Sequence, residues 1–540
     1  MLLTIGICSL WSCGLERSAG ENLGIAHVVV IGFDGLSPNG IENADTPNFD
    51  RLMQEGSYTL HARAVLPTSS SPNWASMIMG AGPEQHGITS NAWVKDNLVL
   101  PTVAQSEDFL FPTIFHLVDR QLAEAEIGAI YHWGGFGRLF EKNAVDFDIN
   151  PESEEETAEI ASNYIIEKKP DFTFIHFDHI DHAGHEFGHG SDAYYKAVES
   201  GDSLLGKVME SIKKAGITDE TLVIISADHG GLGKGHGGES LKEIEIPFIM
   251  WGKSVKKNHL LKYPVYQYDN AATVAFALGL EIPQAWIGKA VKEGFENYGP
   301  TDEYPLVERL KEPVILPQGE GYEQDGGLFD MHTFLNIQNP NQAGEVRYTL
   351  DGSMPTTAAN LAVGPIEIHQ NTVVKSAIFN NGVVCSPIVE GFFRIKDSLK
   401  AKPIDYEVFY LKDLGGVPTL DSKKYALKGS CYEITSKEIS GLIKNNTAVR
   451  FSTFITIERS DTYQFFTRSD DGSKLYINGA VVVDNDGDHG VIEKSGKIKL
   501  EQGEYPLEVV WFNGGGDGWI EVYYASGTIP KQILPTSILK

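Results

Sequence analysis

Four short, unbroken apolar runs constrain this chain more than any other feature: HVVVIGF (27–33), AEIGAIYHW (125–133), DFTFIHF (171–177) and TLVIISA (221–227). Continuous runs rich in Val and Ile suit strands buried on both faces of a parallel sheet. The stretches around 153–167 and 192–213 read as helices between them. This alternation predicts an α/β domain with a doubly wound, mostly parallel sheet. From residue 298 the texture changes to a segment rich in Pro, Gly and acidic residues, which reads as a linker. Beyond it, short alternating segments with turn signals predict two all-β sandwiches, divided near KDSLKAKP at residue 400. A chain of 540 residues exceeds one core. The expected plan is a leader over 1–20, an α/β domain over 24–297, a linker over 298–322, and sandwiches over 323–398 and 400–540.

Three of the four runs end in acidic residues. The first ends at Asp34, the third runs into Asp178 and Asp181, and the fourth ends at Asp228-His229. Open parallel sheets bind ligands outside the carboxyl ends of their strands. Three carboxylates gathered at one such edge repel unless cations lie between them. His185, His229 and His236 add neutral nitrogen donors, and mixed Asp/His sets without cysteine suit catalytic zinc. Thirteen of the sixteen histidines precede residue 300, which confines this chemistry to the first domain. A run of hydroxyls, PTSSSPNW (67–74), stands before a predicted helix from Pro72 to Met79, with Ser71 as N-cap and Gly80 as the stop. Alone it reads as a capping loop. Beside an edge of carboxylates it also supplies candidate nucleophiles.

The formal charge of −29 argues against a polyanion-binding surface, and so against a nucleic-acid duplex as partner. The first residues, MLLTIGICSLWSCG, form a short apolar run ending at Cys13. They read as a secretion leader with a loose lipoprotein cleavage box, although no basic residue precedes Arg17. Export to the periplasm or outer cell surface is expected, with a lipid on Cys13 as the only membrane attachment. No later stretch reaches the length of about 20 apolar residues that a span needs. Cys385 and Cys431 fall in different predicted domains, so no disulfide framework or cysteine-based zinc site is implied.

The blocks GFDG (32–35), TPNFDRLMQEG (46–56), PTSSSPNW (67–74), GPEQHGITSN (82–91), DHIDHAGHEFG (178–188) and ADHGGLGKGHGG (227–238) occur in this order. Together they resemble the alkaline phosphatase superfamily, most closely its nucleotide pyrophosphatase/phosphodiesterase branch. The resemblance implies two Zn2+ ions, other divalent metals being possible. One would be held by Asp181, His185 and His236, the other by Asp34, Asp228 and His229 with Ser70 completing it. It further implies that Ser70, where the branch more often has threonine, is the nucleophile that becomes phosphorylated. Asn73 would donate its amide to a phosphate oxygen. Asp178, His179, His182 and His189 fall within the motif but outside its ligand pattern. His86 is expected to orient its local turn, while Asp202 and Lys234 are left open between structural and substrate-facing roles.

Two departures narrow the reading. Sulfatases of this fold resemble Cys/Ser-x-Pro-x-Arg at the nucleophile, but here the arginine position holds Trp74, which argues against sulfate esters. Only GGLGKG separates His229 from His236, where relatives often insert a large cap. Such close spacing also resembles the ethanolamine-phosphate transferases, and implies an open site suited to phosphorylated glycans or glycolipids as well as nucleotides. VRYTLDGSMPT (346–356) with VVKSAIFNNG (373–382) resembles the chitobiase-type C-terminal sandwich, and residues 404–540 resemble the protective-antigen-type sandwich. Both imply glycan-targeting or spacer roles, and the second a Ca2+ site near Asp470 and Asp471. The leading expectation is a phosphodiesterase. The alternatives are a phosphomonoesterase or phosphotransferase using the same residues, and a non-catalytic glycan-binding surface protein. Decay to the last would leave gaps in the ligand set, and none of its six Asp/His residues is missing.

Overall fold

The computed structural model describes residues 23–540 except 97, 98, 107, 108, 301, 308, 320, 397–401 and 517. The leader, with Cys8 and Cys13, lies outside the described residues. The first domain is built on one eight-stranded sheet. In chain order its strands are β1 (His27–Phe33), β2 (Ser57–Arg63), β3 (Ile127–Tyr131), β4 (Phe147–Ile149), β5 (Phe172–Phe177), β6 (Thr221–Ser226), β7 (Glu245–Gly252) and β8 (His259–Leu260). Their spatial order is β4-β3-β5-β1-β6-β7-β2-β8. Strands β4, β3, β5, β1 and β6 run parallel. Strand β7 is antiparallel to both β6 and β2, so the sheet is mixed, with a parallel centre.

The four apolar runs are β1, β3, β5 and β6, and every residue of β3, β5 and β6 is buried. Burial on both faces is why these strands lack alternation. Strand β1 lies between β5 and β6 in unbroken register, so the three acid-ended runs are adjacent in space. The helices Glu154–Lys168 and Asp192–Ala215 occupy the two stretches read as helical. Among the described residues no helix is long and apolar enough to cross a membrane.

The linker segment contributes more than a connection. Its apolar triplet forms the strand Val314–Leu316, which pairs with Thr333–Gln338 and buries Ile315. The second domain is a sandwich of a six-stranded and a three-stranded sheet, and the third pairs a six-stranded with a four-stranded sheet. An apolar cluster of Val373, Phe392, Tyr523 and Ile533 joins these two domains. The Arg394 guanidinium also forms two hydrogen bonds with Glu433, at 2.5 and 3.0 Å.

Gly32 shows how tightly β1 is packed beneath the acidic edge. A Cβ at that position would fall 2.5 Å from the Trp74 ring, which is itself enclosed by Phe136, Phe174 and His176. Gly32→Ala is therefore expected to destabilise the first domain by about 1–3 kcal/mol, the usual cost of overpacking. Urea unfolding of the full chain, followed by tryptophan fluorescence, checks this. An unchanged first-domain transition would contradict the packing argument.

Candidate active site

The hydroxyl run opens the helix Ser70–Met79, and Ser69 rather than Ser71 is its N-cap. The helix starts earlier than the sequence signals suggest because Pro72 still lies in the first turn, where its missing N–H costs no intrahelical bond. Gly80 ends the helix at φ 60. Ser70 is thus in the first turn, 6% exposed, with its Oγ 3.4 Å from His229 Nε2. The Ser71 backbone N–H donates to Asn91 Oδ1 at 2.8 Å. Arg138 lies alongside, its Nη2 donating to Ser71 Oγ at 3.0 Å and to the Asn91 carbonyl at 2.5 Å.

The Asn73 amide, expected to donate to a phosphate oxygen, is engaged within its own loop. Its Nδ2 donates to the carbonyls of Val65, Pro67 and Ser69 at 3.3, 3.0 and 2.9 Å, and its Oδ1 accepts from Val65 N at 2.7 Å. With its amide committed to residues 65–69 and its side chain fully buried, Asn73 holds the shape of the loop before Ser70. The amide beside the hydroxyl run is that of exposed Asn91, the last residue of GPEQHGITSN. Trp74 also has a defined task, donating its Nε1–H to Asp34 Oδ2 at 3.0 Å.

The six candidate ligands gather into two groups of three, Asp34/Asp228/His229 and Asp181/His185/His236, each with ligand atoms within 4.8 Å of one another. His229 Nε2 stands 3.1 Å from Asp228 Oδ2 and 3.5 Å from Asp34 Oδ1. His185 Nε2 is 3.1 Å and His236 Nε2 3.8 Å from Asp181 Oδ2. The groups adjoin, since the His229 and His236 rings stack with centroids 3.7 Å apart. Gly35, at φ +69, permits the closeness: a Cβ there would come within 2.7 Å of Asp181 Cβ.

All three histidines use Nδ1 in the same way. Each approaches a backbone carbonyl at 2.8 Å: His185 that of Lys234, His229 that of Gly230 and His236 that of Thr68. A carbonyl only accepts, so Nδ1 carries a proton and Nε2 is the nitrogen turned toward the carboxylates, its lone pair available to a cation once that nitrogen is free of a proton. Asp34 Oδ1, Asp181 Oδ1 and Asp228 Oδ2 are buried without hydrogen-bond partners. Unpartnered carboxylate oxygens beside inward-turned Nε2 atoms form a donor set that fits divalent cations. Charge among these groups is unevenly shared. Burial, and then the neighbouring charges of Asp34 and Asp181, push the Asp228 carboxyl well above its usual range. Burial opposes charge on Asp181 too, but the His236 and His185 imidazoles hold its pKa well below normal. Burial alone would lower His185; its hydrogen bond to Asp181 and that carboxylate's charge raise it to about 9.

The remaining polar residues have separate places. His176, buried in β5 and absent from the expected set, puts Nε2 3.4 Å from Asp34 Oδ2 and forms a further group with Asp34 and Asp178. His189 is buried with Nε2 3.6 Å from Asp181 Oδ1, whereas the His182 side chain is 77% exposed. His179 bonds to the Ala197 carbonyl. His86 bonds to Ser76 Oγ and accepts from Ile88 N, fixing its turn. Asp202 accepts the Asn48 and Phe49 N–H groups at the start of the helix Pro47–Glu55, a structural role. In the third domain, Asp471 accepts from His489 N at 3.0 Å and Gly514 N at 2.8 Å, drawing two loops together.

Residues 28–233 match the family model of type I phosphodiesterase / nucleotide pyrophosphatase. Residues 335–393 match the Fn3-associated model and residues 404–536 the PA14 domain model. Venom phosphodiesterase CdcPDE of Crotalus durissus collilineatus is 28% identical over 221 residues, covering 38% of this chain and 26% of its own length. Bis(5'-adenosyl)-triphosphatase enpp4 of Mus musculus is 25% identical over 213 residues, covering 38% of this chain and 46% of its own. The match thus spans about a quarter of the venom enzyme and under half of the mouse protein. The solved structure of murine ectonucleotide pyrophosphatase / phosphodiesterase 5 aligns with 48% of this chain and 96% of its own, at 16% identity and a TM-score of 0.41. The amino-terminal domain of this chain is thus similar to the type I phosphodiesterase / nucleotide pyrophosphatase family.

Proposed function

We propose that the first domain hydrolyses phosphate esters, with phosphodiesters and nucleotide pyrophosphates as its leading substrates, through a phosphoseryl intermediate on Ser70. One observation carries this reading: two adjoining three-residue ligand groups with a helix-start hydroxyl 3.4 Å from the nearer histidine. Divalent cations held by Asp34, Asp228 and His229 and by Asp181, His185 and His236, zinc by the chemistry of the donors, would supply Lewis-acid stabilisation of the negative oxygens.

In the first step Ser70 Oγ bonds to phosphorus as the bond to the leaving oxygen breaks, and the hydroxyl proton passes to the departing oxygen. The first turn of the helix brings the positive end of its dipole to the phosphate. Asn91, fixed through its Oδ1 to Ser71 N, has its Nδ2–H groups as donors to charge developing on a non-bridging oxygen. In the second step water attacks phosphorus from the vacated side, the P–Oγ bond breaks, and Ser70 recovers its proton. Asn73 acts earlier, by keeping residues 65–69 in the shape that presents Ser70.

A second reading is favoured by Arg138. A phosphomonoester dianion carries more negative charge than a diester, and this guanidinium beside Ser71 is a cation suited to it. An exported enzyme acting on nucleotides, phosphorylated glycans or glycolipids is compatible with either reading, as are glycan ligands for the C-terminal domains.

A paired assay with bis(p-nitrophenyl) phosphate and p-nitrophenyl phosphate tests the reaction. The diester is expected to turn over faster, and Ser70→Ala to lower turnover by at least about a thousandfold, as loss of a nucleophile does elsewhere. Faster turnover of the monoester, lost in Arg138→Ala, would favour the second reading. Activity retained in Ser70→Ala would remove the covalent mechanism.

Metal uptake should be linked to protons. With a pKa of about 9, His185 is protonated in the metal-free protein at pH 7.5. A cation must displace that proton, so affinity is expected to rise with pH up to about 9 and to level off above it. Calorimetric titration of metal-free protein with Zn2+ at pH 7.5, in two buffers of different ionisation enthalpy, reads the protons released. Absence of proton release would contradict the assignment of these ligands.

A further inference from the structure

Two of the three residues in the Asp181 group depend on a loop almost without side chains. The loop Gly230–Gly238 carries His236, and its Lys234 carbonyl takes the His185 Nδ1–H at 2.8 Å. The Gly233 carbonyl also accepts the His189 N–H at 2.7 Å. From Gly230 to Gly235 every residue except Lys234 is Gly or Leu, and Gly233 and Gly237 sit at φ +59 and +112. A segment of this composition has little intrinsic stiffness, so its shape must be imposed by what packs against it.

At Gly233 and Gly235 what packs against it comes from outside the first domain, while Gly230, Gly231, Gly237 and Gly238 lie against first-domain residues. A Cβ on Gly233 would meet Gly321 Cα at 3.0 Å and Tyr322 Cδ2 at 3.1 Å, and a Cβ on Gly235 would meet Tyr322 Oη at 2.9 Å. The Tyr322 ring therefore lies against the loop at the place where the loop lacks side chains. The third domain holds the other side of Tyr322. Arg468 covers its ring at 5.5 Å and donates from Nη1 to its carbonyl at 3.2 Å, and the Trp519 ring lies 6.3 Å away. The neighbouring Glu323 pairs with Lys437 at 2.6 Å. A second third-domain contact reaches the ligand itself, since a Cβ on Gly490 would fall 3.2 Å from the His236 carbonyl.

We propose that Tyr322, clamped by Arg468 of the third domain, is a positioning residue for the Asp181/His185/His236 group. It holds the Gly230–Gly238 loop in the shape that aims His185 and His236, and makes the C-terminal sandwich part of the metal-binding machinery. The inference rests on the metal-dependent reading above. Packing, not the phenol, does the positioning, because Tyr322 Oη is buried without a hydrogen-bond partner.

That distinction supplies a rescue experiment in the full chain. Gly235→Ala drives a methyl into Tyr322 Oη, whereas the next ring atoms lie 3.7 Å away, an ordinary contact. Zn2+ affinity and stoichiometry are read by competition with a chromophoric chelator, beside circular dichroism to confirm folding. Wild type and Tyr322→Phe are expected to bind two ions alike. Gly235→Ala and Tyr322→Ala are expected to weaken one of the two ions by about tenfold or more, the usual effect of losing support behind a metal ligand. Adding Tyr322→Phe to Gly235→Ala should restore the affinity. In a His236→Ala background, which already lacks that ion, Tyr322→Ala should cause no further loss. Wild-type affinity in both Gly235→Ala and Tyr322→Ala, or failure of Tyr322→Phe to rescue Gly235→Ala, would overturn the proposal and leave the metal reading intact. A wild-type chain that binds no Zn2+ would overturn both.

Discussion

The mutual repulsion of Asp34, Asp181 and Asp228 is the constraint around which the first domain is arranged. Adjacent strands β5, β1 and β6 deliver all three to one edge, where Asp34 and Asp228 are almost completely buried. Water cannot screen them there, and so the surroundings divide the charge: Asp228 is driven toward its neutral form while Asp181 stays ionised against His185 and His236. Backbone N–H groups of Gly35 and His229 take one oxygen of Asp228, and the Trp74 indole takes one of Asp34. Each arrangement leaves the opposite oxygen without a protein partner. A site built only for stability would not leave three carboxylate oxygens unpartnered among three inward-turned imidazole nitrogens.

The loop before Ser70 answers a related problem, that of presenting a hydroxyl at this edge without letting it move away. Asn73 binds residues 65–69 from within, and Thr68 binds them to the opposite wall. The Thr68 hydroxyl donates to the Gly238 carbonyl and accepts from Gly237 N, while its own carbonyl takes the His236 Nδ1–H. The Ser70 loop and the loop that carries His236 are therefore one hydrogen-bonded unit. A shift in either would change the distance between Ser70 and the adjoining ligand groups.

How much of this was legible in the sequence follows from the range of each interaction. Burial on both faces leaves a mark along a single strand, so β1, β3, β5 and β6 could be read from their apolar runs, and Asp34 and Asp228 from the strand ends. The blocks in family order were enough to name all six residues that the structure gathers into two groups. Asn73 and Asn91 could not be told apart in this way. Both lie in the expected blocks, but which amide faces the hydroxyl depends on how residues 65–69 fold back, and that is decided by hydrogen bonds rather than by pattern. His176 was hidden because a histidine inside an apolar strand has no local signal; only the neighbouring β1 brings Asp34 to it. Arg138 likewise meets Ser71 across 67 residues of sequence. The segment read as a linker held Tyr322, whose contacts lie in the first-domain loop at Gly233–Gly235 and in the third domain.

The short spacing between His229 and His236 takes on a different meaning in three dimensions. Read along the sequence, six residues in place of a cap imply an open site. In the structure the same economy leaves a glycine-rich loop that takes its support from the Thr68 loop on one side and from Tyr322 and Gly490 on the other. The second and third domains meet through a shared apolar cluster and the buried Arg394–Glu433 pair, so Arg468 projects from a braced surface rather than from a free module. Bracing matters because a contact positions a ligand only if it is stiffer than the loop it supports. On this argument the β-sandwiches exchange one property for another: the loop gives up side chains and their local packing, and in return the geometry around His236 comes to depend on the assembly of the whole chain.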